Sequence, residues 1–175
     1  RQTHPAKSIA YGHQCIKLGR QLRFDRGLAG CYLNLSAAYI SASKLDSALT
    51  CIDTAIQYSQ KLAEPNRLAL AYLNRADIHM QLRILNQSQK DCDTALKFAE
   101  LANNDDRRAR IYQTIGSVYY TQKKYTDAIP YYDKAFQLYE SVNARQMSAI
   151  VLNNLGNVYK HLGQPHKSIA HLQKA

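Results

Sequence analysis

Histidine and cysteine are the side chains here that could hold a metal or act as nucleophiles, and their spacing argues against both roles. Of the six histidines, His4, His13 and His79 stand apart, while His161, His166 and His171 follow one another in steps of five. Such steps carry the rings across a turn and onto different helix faces, so a zinc site would need ligands from elsewhere in the chain. His79 reads as a packed ring bonded to a neighbouring carbonyl. The four cysteines, Cys15, Cys31, Cys51 and Cys92, contain no C-x-x-C pair and read as unpaired thiols, Cys15 and Cys92 serving as small buried apolar residues. Unpaired thiols lean toward a reducing, cytoplasmic compartment, although a piece of a periplasmic sensor would carry buried thiols too. There is no glycine-rich phosphate loop, nucleophile elbow or H-E-x-x-H helix. No catalytic residue, metal or cofactor is expected, and the chain is read as not being an enzyme.

The elements that position these residues follow from composition and repetition. Only 7 Gly and 4 Pro in 175 residues, with 46% hydrophobic residues, favour long helices over many short strands. No apolar run reaches the roughly 18 residues of a membrane helix, and no charged-then-apolar leader opens the chain. Four stretches beginning at Cys31, Ala71, Ile111 and Val151 align without a gap at a spacing of 40 residues. One column holds Tyr32, Tyr72, Tyr112 and Leu152; four residues on stand Ser36, Ala76, Gly116 and Gly156; three further stand Tyr39, His79, Tyr119 and Tyr159. Later columns hold Ala48, Ser88, Ala128 and Ser168, then Ile52, Cys92, Tyr132 and Leu172, then Ala55, Ala95, Ala135 and Ala175. Large, small, large at helical spacing is a packing code: the small residues let two helices close up and the large ones fill the space beside them.

At these columns the chain resembles the tetratricopeptide repeat family over essentially its whole length. The resemblance implies an all-α fold, a right-handed α-solenoid of antiparallel helix pairs forming a superhelix. The common unit has about 34 residues and closes with Pro; this one has 40 and lacks that Pro, which fits helices lengthened by roughly a turn of about 3.6 residues. Forty-residue units with the "NLGN" helix of Asn154 to Asn157 look like the arrays of bacterial signalling proteins and of Pins-type adaptors.

The frame predicts helices near 5–24, 26–42, 45–63, 66–82, 85–103, 106–122, 125–143, 146–162 and 165–175. Asp25, Asn66 and Asp105 are placed as N-caps and Gly163 as a C-cap. Pro130 falls inside a predicted helix and should remove one hydrogen bond and bend its start. Residues 1–175 read as a single array: 1–27 as the second helix of a truncated repeat, 28–67, 68–107 and 108–147 as full repeats, and 148–175 as another truncated one. Residues from Pro5 match those from Pro165, so both ends fall within a second helix. The chain starts at Arg1 and is expected to be a piece of a longer array, since repeat arrays need polar terminal caps.

The formal charge of +10 is uneven. By frame it is +5 over 1–27, 0 over 28–67, −1 over 68–107, +3 over 108–147 and +3 over 148–175. A nucleic-acid binder would show a continuous basic stripe with exposed aromatics between, and most of the 13 Tyr fall in packing columns. A nucleic-acid partner is therefore not expected.

In this family the first helix of each unit lines the concave side, which implies a binding face made of four columns. They are Leu33, Leu73, Gln113 and Asn153; Asn34, Asn74, Thr114 and Asn154; Ala37, Asp77, Ser117 and Asn157; and Ile40, Met80, Tyr120 and Lys160. A carboxamide both donates and accepts, so a ladder of Asn can hold an extended peptide backbone whatever its side chains. The alternative for these Asn residues is an ordinary wet helix face. The carboxylate clamp of the chaperone-tail binders is incomplete: Asn74 and Arg110 match it, but Leu33, Ala37 and Thr114 stand where Lys, Asn and Arg are needed. The apolar set Leu33, Ile40, Leu73 and Met80 favours a ligand with an apolar side. The expected function is a protein- or peptide-binding module, the sensing or scaffolding region of a larger bacterial signal-transduction protein, with a membrane-anchored parent and periplasmic location if that parent is a sensor histidine kinase. The rival is a self-association or autoinhibitory element whose groove is filled by its own parent chain, with homo-oligomers as one outcome.

Overall fold

The computed structural model describes residues 5–174, without the side chains of His171, Leu172 and Lys174. The members of the repeat columns at Leu172 and Ala175, and the side chains of His4 and His171, lie outside the described residues. Those described form nine helices: α1 (Pro5–Gln21), α2 (Asp25–Ser41), α3 (Leu45–Lys61), α4 (Pro65–Gln81), α5 (Leu85–Leu101), α6 (Asp105–Thr121), α7 (Tyr125–Ser141), α8 (Arg145–His161) and α9 (Pro165–Lys174). Every helix from α2 to α8 has 17 residues. Two such helices and two three-residue turns account for the 40-residue unit.

One turn is used throughout. After each helix the second turn residue has positive φ: Arg23, Ser43, Ala63, Arg83, Asn103, Lys123, Asn143 and Gly163. At each, the next N–H reaches back five residues and the turn residue's own N–H three, as in Phe24 N to Gly19 O at 2.9 Å and Arg23 N to Arg20 O at 3.2 Å. That is the Schellman motif, which satisfies the orphan carbonyls of the helix end. It explains why the expected helices ran one to three residues too far.

The same motif displaces the expected N-caps. Asp25 and Asp105 are first helical residues and Asn66 the second; the cap positions are Phe24, Glu64 and Asn104. The last residue of each turn closes the preceding helix and opens the next, so turn geometry decides the start and a capping side chain is dispensable. Asn104 does cap, accepting from Arg107 N at 2.9 Å, while Phe24, Lys44, Glu64, Lys124 and Ala144 make no such bond. Asp25, Asp105 and Asp106 still favour the positive end of the helix dipole. Pro130 sits inside α7, which continues uninterrupted through it.

The chain divides into two compact units, Arg1–Asp91 and Cys92–Ala175, with the division inside α5. In the first, α1 packs on α2, α2 on α3 and α3 on α4, and α2 also touches α4. Its core is built from Leu28, Leu35, Ile52, Leu68, Leu73 and Ile78 with Ala between them. In the second, α6 packs on α7, α7 on α8 and α8 on α9, around Ala109, Ala128, Tyr132, Ala135, Tyr139, Val151, Leu155 and Val158.

The small residues of the code sit at helix crossings, and each crossing is closed by a hydroxyl or a ring. Ser36 Oγ donates to Ala48 O at 3.0 Å, Ser88 Oγ to Ala76 O at 2.8 Å and Ser168 Oγ to Gly156 O at 2.8 Å. Between α6 and α7 the small pair is Gly116 and Ala128, with no hydroxyl, and the Tyr132 ring fills the space: a Cβ on Gly116 would lie 2.8 Å from it.

The cysteines are not all unpaired, contrary to expectation. Cys15 and Cys31 form a disulfide joining α1 to α2, with Cα atoms 5.7 Å apart, while Cys51 and Cys92 are buried thiols outside any disulfide. The two bonded residues are 16 apart in sequence, on antiparallel neighbours, a proximity that only the turn between them creates. The lean toward a reducing compartment rested on four unpaired thiols and loses that basis.

Candidate functional site

The expected binding residues all lie on first helices: Leu33 and Asn34 on α2, Leu73, Asn74, Asp77 and Met80 on α4, Arg110, Gln113 and Tyr120 on α6, and Asn154, Asn157 and Lys160 on α8. In the first unit, Leu33 is 7% exposed and Leu73 fully buried. The apolar side that they were expected to offer a ligand is corrected: both are buried in the core of the first unit, where α2 packs on α1 and α3 and touches α4. Asn74, Asp77 and Met80 are half-buried along one face of α4. Asn34 is exposed and lines a cleft between α1 and α2.

In the second unit, Arg110, Gln113, Ser117 and Tyr120 share a face of α6 at spacings of three and four, and Asn154, Asn157 and Lys160 share one of α8. Gln113 Oε1 accepts from the Tyr139 hydroxyl at 3.2 Å, and Ser117 Oγ donates to Gln113 O at 3.0 Å and lies 3.1 Å from the Tyr132 hydroxyl. The Tyr120 ring meets Tyr125 and His161 edge-on, and Tyr125 and His161 stack at 4.8 Å. Thr114, in the Asn column, is buried, so that column is not equally open at every repeat.

A polar cluster in the first unit went unread in the sequence. Arg75 of α4 donates Nη2 to Asp91 Oδ1 at 2.7 Å and Nη1 to Asp53 Oδ1 at 2.7 Å. The Arg75 guanidinium also lies 5.0 Å from the Tyr72 ring centroid. His79 Nδ1 lies 2.8 Å from Asp91 Oδ2, so His79 meets a carboxylate and not the expected carbonyl. Burial works to lower the Arg75 proton affinity, and the carboxylates of Asp91 and Asp53 outweigh it, leaving it raised. The signal was present: Arg75 occupies the column of Leu35, Ile115 and Leu155, all buried, and an Arg in a core column needs a carboxylate.

Aromatic stacking marks the second unit. Tyr119 and Tyr131 stack at 5.2 Å, with Tyr112 6.5 Å from Tyr131 and Lys134 Nζ 5.4 Å from the Tyr112 ring centroid. Burial, then the neighbouring Tyr119, raises the Tyr131 phenol. Among the described residues no three His, Cys, Asp or Glu side chains converge into a metal-ligand set, and no helix is long and apolar enough to cross a membrane.

Comparison with known proteins agrees with this helix code. A family model described as tetratricopeptide repeat matches residues 67–141, and a second with the same description matches 149–175. The chain belongs to the tetratricopeptide repeat family. Its all-α architecture of antiparallel helix pairs is that of tetratricopeptide solenoids, a protein-interaction fold. Among solved structures, BtubC (BKLC) from P. vanneervenii has a TM-score of 0.73 at 16% identity, covering 99% of this chain and 90% of that one. Aspartyl phosphate phosphatase F from Bacillus subtilis has a TM-score of 0.77 at 21% identity, over 83% of this chain and 40% of that one, so this repeat chain spans well under half of the phosphatase. The apo form of RapI has a TM-score of 0.77 at 13% identity, over 97% of this chain and 75% of that one. At these identities the likeness is one of fold. No curated protein matches the chain.

Proposed function

We propose that this tetratricopeptide chain is a non-enzymatic module that binds a protein or peptide through its first-helix faces, as the sensing or scaffolding part of a larger bacterial signal-transduction protein. The observation that carries the reading is the division of labour within the first helices. Their packing columns are buried, while Asn74, Asp77 and Met80 on α4, Gln113 and Tyr120 on α6, and Asn154, Asn157 and Lys160 on α8 keep polar or half-buried side chains at the surface. Amides on such a face can bond a peptide backbone in both senses. The signalling context is supported by likeness of fold to RapI and to a Bacillus phosphatase.

Peptides selected from a random phage library on the immobilised chain provide the probe. Changing Asn74 and Asn154 to Ala removes two neutral hydrogen bonds worth about 0.5–1.5 kcal/mol each, so affinity should fall by roughly one to two powers of ten. Moderate salt should change little, because Asn is uncharged. Normal binding by the double variant, with loss of binding in salt, would move the site to the basic surface of Lys123, Lys124 and Lys160 and sink the proposal.

A further inference from the structure

In the repeat of residues 108–147 the packing code shifts bulk from the first helix to the second. At the positions of Gln113 on α6 and Tyr139 on α7, the preceding repeats place Leu33 with Ser59 and Leu73 with Ala99, all buried. A large first-helix residue is combined there with a small second-helix one. In this repeat Tyr139, 2% exposed, brings the bulk from α7, and residue 113 is released from the core to a half-buried place on the face of α6. The same shift recurs one turn along. Tyr132 stands where Ile52 and Cys92 are buried, Gly116 leaves room for its ring, and its hydroxyl comes up 3.1 Å from Ser117 Oγ.

Each buried phenol fixes what its neighbour on the face can offer. The Tyr139 hydroxyl has no other hydrogen-bond partner among the described residues, so its proton goes to Gln113 Oε1 at 3.2 Å and is not left unpaired in the interior. The Gln113 amide is thereby held with Nε2 turned away from Tyr139, where it is not enclosed and makes no hydrogen bond among the described residues. It presents donors only. Ser117 gives its one proton to Gln113 O at 3.0 Å, so the Tyr132 hydroxyl must donate to Ser117 Oγ. One lone pair of that oxygen is left as an acceptor on the face. Burial raises both phenols, Tyr139 to about 12, so both stay protonated near neutral pH.

A donor and an acceptor four residues apart on a helix are neighbours, with Cβ atoms about 5–6 Å apart. One residue of an extended peptide turns its N–H and C=O to the same side, the N–H coming first along the chain. An unrestrained carboxamide serves a backbone in either sense; Gln113 does not. On the reading of the first-helix faces as a peptide site, we infer that α6 fixes the direction of the bound peptide. Gln113 donates to the carbonyl and Ser117 accepts from the N–H of one ligand residue, so the ligand runs antiparallel to α6, and Tyr139 and Tyr132 of α7 are positioning residues.

The probe is the tightest phage-selected peptide whose affinity falls in the Asn74→Ala, Asn154→Ala chain, resynthesised with an ester in place of each peptide bond in turn. An ester removes one N–H and weakens the preceding carbonyl as an acceptor. One ester should lower affinity for the parent chain about threefold to tenfold and cost little in Ser117→Ala. The next ester along, which weakens the carbonyl of the same residue, should couple to Gln113 instead. Gln113→Glu still accepts from Tyr139 but has no donor, so it should bind the unmodified peptide at least about tenfold more weakly, and there the second ester should cost little. Tyr139→Phe frees the amide to turn, so the second ester should lose its effect while the first keeps it, a split that a merely structural role would not produce. Ser117→Ala with Tyr132→Phe leaves no orphaned hydroxyl and should repeat the Ser117→Ala result, which separates it from a folding defect. Ester penalties that stay the same in every variant, or the two esters exchanging their partners, would overturn the inference while the Asn result keeps the peptide-binding reading. If no selected peptide loses affinity in the Asn variant, that reading falls and this inference with it.

Discussion

Arg75 and Asp91 form a forked ion pair across α4 and α5, with Nε and Nη2 of the guanidinium 3.1 and 2.7 Å from the same carboxylate oxygen. The Asp91 side chain is 7% exposed and that of Arg75 25%. Removing one member of a fully buried pair costs about 3–5 kcal/mol; the partial exposure of Arg75 and its second partner Asp53 reduce this, so Asp91→Ala should cost about 2–3 kcal/mol. Arg75→Leu and His79→Tyr restore the residues of the equivalent columns, and with Asp91→Ala removing the carboxylate that they would leave unpaired, the triple variant should be at least as stable as the parent. Urea unfolding of both variants checks this; a triple variant less stable than the parent would contradict it.

Gly116 has no room for a side chain beside Tyr132. Gly116→Ala should destabilise by about 1–3 kcal/mol through overpacking, and Gly116→Leu by at least as much. Pairing Gly116→Ala with Tyr132→Ile, the residue at the equivalent Ile52 position, should recover part of the loss. Thermal melts of the three variants measure it.

Ala63 and Lys123 hold positive φ, 49° and 61°, in the shared turn. A side chain in that region is strained and glycine is not, so Ala63→Gly and Lys123→Gly should each stabilise by about 0.5–1 kcal/mol despite the greater chain entropy that glycine brings to the unfolded state. A lowered midpoint in either variant would mean that the turn does not hold the left-handed conformation in solution.

Tyr139 is buried, and burial, with a smaller contribution from Asp106, pushes its phenol up to about 12. The folded-state value lies above the ordinary Tyr value of about 10, so above pH 10 the unfolded chain loses this proton before the folded one does. Stability should therefore be full below pH 10 and fall between pH 10 and 12, by about 2–3 kcal/mol for this group. In Tyr139→Phe that part of the alkaline decline should vanish while the other tyrosines still contribute.

The helices, their number and their pairing were legible because the code is local and repeated. A large–small–large stripe at helical spacing buries only against a like stripe, and four copies in one register leave a single consistent reading. What sequence spacing could not settle was which side of a helix each column meets. Leu73 and Asn74 are adjacent in sequence, and the chain alone does not say that Leu73 is wholly enclosed while Asn74 is half-open; that depends on where α2 and α4 lie side by side. The disulfide of Cys15 with Cys31 and the cluster of Asp53, Arg75, His79 and Asp91 are likewise tertiary facts, since each joins residues from different helices whose distance is set by helix crossings. The repeat, its two-helix unit and its buried small residues follow from periodicity and are readable along the chain. Which polar side chains stay open to a partner is settled by how the helices pack, because exposure is a property of the neighbours and not of the residue.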